Sequence, residues 1–79
     1  MLDPKEIEKA VLRLDDPPES YHYLEKNLFW TLQNIFSRFK AGRLSKEQAS
    51  KLKLQAVKNY ETDKFHKEVM DAHIERIKE

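Results

Sequence analysis

Apolar positions recur at helical spacing along nearly the whole chain. Ile7, Ala10, Val11 and Leu14 follow at intervals of three, one and three, the stripe of an amphipathic helix. Asp3 is a good cap, Pro4 suits the first helical position and Glu6 stands three residues past the cap, so a helix is predicted over 4–14. Asp15, Asp16, Pro17 and Pro18 form a linker that ends it, because the residue before a proline is pushed out of helical geometry. The second helix is predicted over 19–40. At roughly 100° per residue, Tyr21, Leu24, Leu28, Leu32, Ile35 and Phe39 fall within a band of about 80°. Phe29 and Phe36 widen that band on one side.

Gly42 lies just past the second stripe, where a left-handed helix stop is expected. Ser45 and Gln48 then have the spacing of a capping box, and Leu44 with Ala49 that of a weak hydrophobic staple. A third helix over 46–60 carries the stripe Ala49, Leu52, Ala56 and Tyr60, with Val57 at its margin. So short a turn makes helices two and three an antiparallel hairpin. No Gly or Pro follows residue 43. Asn59, Tyr60, Thr62 and Asp63 are weaker helix formers, which predicts a break near 61–63. A fourth helix over 63–78 would carry Phe65, Val69, Met70, His73 and Ile77, with Ile74 at the edge. The expected fold is all-α: one domain, 1–79, a small bundle of four helices. One unbroken helix from 46 onward is the alternative.

Composition narrows the class further. Ala, Glu, Lys, Leu and Arg make up about half of the 79 residues, as in long helices. One Gly, three Pro and no Cys exclude turn-rich β folds, disulfide scaffolds and zinc–cysteine sites. No apolar run approaches the ~20 residues of a membrane span, and no charged-then-apolar leader opens the chain. A cytoplasmic protein is expected. A core this small gives rarely more than about 3–5 kcal/mol, so self-association is a natural supplement.

The net charge of +1 conceals an uneven distribution. Residues 1–25 carry three basic and seven acidic side chains, whereas 40–58 carry six basic and one acidic. Arg43, Lys46, Lys51, Lys53 and Lys58 would make a phosphate-binding face for nucleic acid. The competing reading is a solvated face that complements the acidic first helix.

Tyr23 and Trp30 stand seven residues apart, on one face two turns from each other and opposite the Leu28 and Ile35 stripe. Asn27, Asn34 and Ser37 share that face. Aromatics among short polar side chains resemble the centre of an interface. Tyr23, Asn27, Trp30 and Asn34 are therefore the candidate partner-binding residues. Three arrangements fit: cover by the first helix, contact with a second copy, or a site for another protein.

Catalytic chemistry is sparse. There is no Cys nucleophile and no Gly-x-Ser-x-Gly elbow, and a single Gly excludes phosphate loops and dinucleotide fingerprints. His66 and His73 are seven apart, about 10 Å along a helix axis, too far to share a metal. Asp63 and His66 have a three-residue spacing, but two ligands make half a site. No enzyme, metal, cofactor or small-molecule substrate is expected.

Two segments carry a resemblance: Leu28-Phe29-Trp30, and Arg38-Phe39-Lys40-Ala41-Gly42-Arg43-Leu44-Ser45-Lys46-Glu47-Gln48-Ala49. Together they resemble the inter-helix turn of small helical proteins encoded in prophages and mobile elements of Gram-positive bacteria. The turn is also similar to the SHOCT-type helical hairpin. The likeness covers about residues 21–60 and transfers no functional residue. It implies an accessory protein that binds and redirects a larger host complex. A non-enzymatic protein-interaction module is thus expected, with a nucleic-acid-associated regulator as the alternative.

Overall fold

The computed structural model describes the backbone of residues 1–78 and the side chains of residues 1–72. Three helices account for it: α1 (Pro4–Arg13), α2 (Tyr23–Lys40) and α3 (Lys46–Lys78). The all-α class is as expected, but there are three helices where four were predicted. The molecule measures 54 × 24 × 14 Å, its long axis set by the 33-residue α3.

The break predicted near 61–63 does not occur. Extending a helix adds one hydrogen bond per residue, whereas a break strands up to eight backbone groups at two new ends. Four weak helix formers cost less than that. Two of them also gain partners, one local and one tertiary. Thr62 Oγ1 donates to the Lys58 carbonyl at 3.0 Å, and Tyr60 is a buried core residue. His73, Ile74 and Ile77 of the predicted last stripe lie outside the described side chains.

The helix ends follow local chemistry. The Asp3 carboxylate accepts the Lys5 N–H at 2.9 Å and caps α1. Gly42 takes φ 76°, and the Arg43 and Gly42 N–H groups donate to the Arg38 and Phe39 carbonyls. That pair of bonds is a Schellman stop. Ser45 Oγ accepts the Gln48 N–H while Gln48 Oε1 accepts the Ser45 N–H, which starts α3. α2 begins at Tyr23, not at 19. Tyr21 N–H donates to the Pro18 carbonyl in a turn, and His22 with Glu25 forms the capping box. His22 Nδ1 accepts the Leu24 N–H, and Glu25 Oε1 accepts the His22 N–H at 2.6 Å.

The core joins all three helices. Ile7, Ala10 and Val11 of α1 meet Leu28, Phe29 and Leu32 of α2 and Tyr60 of α3. Leu2, Tyr21, Leu24, Phe36 and Ala56 pack around them half-buried. Phe29, placed at the margin of the predicted stripe, is fully buried, whereas Phe39, Leu14 and Leu52 lie exposed at or beyond the ends of the core. α1 shifts the centre of burial on α2 toward Phe29.

Glu25 is the one buried charged residue of the described chain. Its second oxygen accepts the Leu2 N–H at 2.8 Å, and the Tyr60 hydroxyl donates to the Leu2 carbonyl at 2.6 Å. The residues ahead of α1 are thereby clamped by side chains from both other helices.

Candidate protein-interaction face

Tyr23, Asn27, Trp30 and Asn34 all lie exposed along one side of α2. Tyr23 is 65% and Trp30 48% accessible. The cover-by-helix-one arrangement is thus overturned. α1 spends its apolar side on the cluster around Phe29 and Tyr60 and leaves the outer side of α2 open.

Both aromatics are positioned although exposed. The Trp30 ring meets Phe29 edge-on, with centroids 5.7 Å apart and planes at 86°. Phe29 is fully buried in the core, so Trp30 packs on a well-enclosed neighbour, in a favoured aromatic geometry. Tyr23 lies over His22 at 4.4 Å, and His22 is itself fixed by its capping bonds. Anchors held this way lose little rotamer freedom on binding.

α3 adds residues that sequence reasoning missed. His66, Lys67 and Met70 border one shallow surface depression with Tyr23 and Leu24. Met70 is exposed there, although it was placed on an inward stripe. The Lys67 ammonium bonds Asp71 at 2.6 Å, which raises its pKa above the ordinary lysine value. No local signal could have revealed this grouping. It depends on α3 running straight past the start of α2.

The basic candidates do not converge. Lys53 pairs with Glu8 of α1, as the reading of a charge-complementary face requires. Lys51 and Lys58 share one side of α3, with Lys46 and Lys53 roughly 140° round the helix. Arg43 sits in the turn before it. Arg43, Lys46, Lys51 and Lys58 are exposed.

An open groove of about 500 Å³ runs between α1 and α3, with Pro4, Leu54 and Val57 on its walls and Lys5, Glu8 and Glu61 among its polar groups. Among the described residues, no three His, Cys, Asp or Glu side chains converge as metal ligands do. Among those residues too, no helix is long and apolar enough to cross a membrane. No family model, curated protein or solved structure matches the chain.

Proposed function

We propose that this chain is a non-catalytic protein-interaction module of the phage or prophage accessory type. It docks in the cytoplasm onto a larger host protein complex through Tyr23, Asn27, Trp30 and Asn34. One observation carries the reading: Tyr23 and Trp30 stay accessible on a single face of α2, each braced by a neighbouring ring. Tyrosine and tryptophan are among the residue types most enriched in binding hot spots.

Trp30 is the only tryptophan, so its emission reports on this face alone. Immobilised protein should retain a host protein that Tyr23→Ala and Trp30→Ala variants lose, with helical circular dichroism unchanged. The purified partner should shift the tryptophan emission to the blue. Retention of the same proteins by both variants overturns the reading.

A second reading, contact with nucleic acid, rests on the exposed Arg43, Lys46, Lys51 and Lys58. It requires affinity that falls steeply with salt. Absence of binding to duplex and single strands at low salt removes it.

A further inference from the structure

The side of α3 that borders the groove toward α1, where Leu54 and Glu61 stand, carries a pattern that the interaction face on α2 does not use. Lys51, Leu54, Lys58, Glu61, Phe65 and Glu68 follow at intervals of three, four, three, four and three. This is the heptad spacing of a two-stranded seam, with apolar side chains at Leu54 and Phe65 and charged ones at the other four positions. All six are exposed, with Leu54 57% and Phe65 63% accessible. They occupy a band of about 100°, roughly 140° round the helix from the side that carries Ala56 and Tyr60 into the core. Among the described residues, the ion pairs Lys53–Glu8 and Lys67–Asp71 involve none of the four charged members.

The order of residue types selects the occupant. Turned antiparallel about a two-fold axis between Asn59 and Tyr60, the seam faces itself in complementary layers. Lys51 falls opposite Glu68, Leu54 opposite Phe65 and Lys58 opposite Glu61, and the other half repeats these pairs in reverse. Four layers join opposite charges and two join apolar side chains. A parallel, in-register pair would instead set lysine on lysine and glutamate on glutamate, which is destabilising. An antiparallel arrangement closes on itself as an isologous dimer.

We infer that α3 pairs antiparallel with α3 of a second copy of this chain through that seam. The contact runs about 25 Å, and it leaves Tyr23 and Trp30 outside it. Leu54 also edges the groove between α1 and α3, so Phe65 of the second copy would close that edge. Only two layers are apolar, which makes the dimer weak, concentration-dependent and sensitive to salt.

Charge exchange tests it without touching the core. Sedimentation equilibrium from about 10 to 500 μM, at low and high salt, should show mass rising from one chain of 9.5 kDa toward two. The variants K51E/K58E and E61K/E68K should each remain single chains, because every ionic layer becomes repulsive. Mixed together they should form a heterodimer, with all four ionic layers attractive again. Trp30→Ala should dimerise like the wild type, which keeps failure here distinct from failure of the α2 reading. Wild-type protein that stays one chain throughout overturns the inference. So does undiminished self-association of the charge-reversed variants, a mixture that fails to pair, or loss of the dimer in Trp30→Ala alone.

Discussion

The Tyr60 hydroxyl donates to the carbonyl of Leu2 at 2.6 Å, joining two residues 58 positions apart. Burial, and then the nearby Glu25 charge, push this phenol up to about 12 from its ordinary value of 10. The folded state therefore favours the neutral form. Its contribution is complete below pH 10 and is lost as pH rises from 10 toward 12. The loss should amount to about 3 kcal/mol at most. Urea unfolding at pH 9, 10 and 11.5 measures it, and Tyr60→Phe should flatten the alkaline decline. Tyr21, also raised by burial and Glu25, accounts for part of the decline that remains.

Glu25 accepts the Leu2 and His22 N–H groups from a buried position. Glu25→Ala leaves both donors without their acceptor and should cost about 2–3 kcal/mol in chemical denaturation. Glu25→Gln retains an acceptor oxygen and should cost less. Equal losses in the two variants would refute this account of the clamp.

Asp63 distinguishes a continuous α3 from a broken one. It is exposed and mid-helix, so Asp63→Ala should stabilise by about 0.5 kcal/mol through helix propensity. At the start of a separate helix it would be a cap, and the same change would destabilise by about 1 kcal/mol. The sign of the shift in urea midpoint decides between them.

Gly42 stands at φ 76° with open space where a Cβ would lie. Gly42→Ala therefore meets backbone strain and no clash, and should cost about 1 kcal/mol. A thermal melt resolves a change of that size in so small a domain.

What was legible in the sequence tracks the range of the interactions. The caps at Asp3 and Ser45 and the stop at Gly42 depend on a few adjacent residues and were readable. Periodicity placed Leu28, Leu32, Ile35, Ile7 and Val11 inside correctly. The aromatic face on α2 was visible from the spacing of Tyr23 and Trp30, but not whether α1 would cover it. That depended on which side of α2 the first helix chose, a tertiary outcome. The buried role of Glu25 was hidden, because its partner Leu2 lies 23 residues away. The start of α2 was misplaced because histidine seldom caps a helix. The false break at 61–63 came from weighing propensities without the cost of two new helix ends.

The clamp at Leu2 also sets an order of opening. α2 and α3 are joined by the short turn 41–45, whereas α1 is joined to α2 only through the longer segment 14–22. Closing longer loops costs more entropy, if slowly with length. The first helix should therefore detach before the hairpin melts, and its amides should exchange with solvent sooner than those around Leu32. Each such opening lays bare Phe29 and Tyr60, so the least anchored helix governs how often the core meets water.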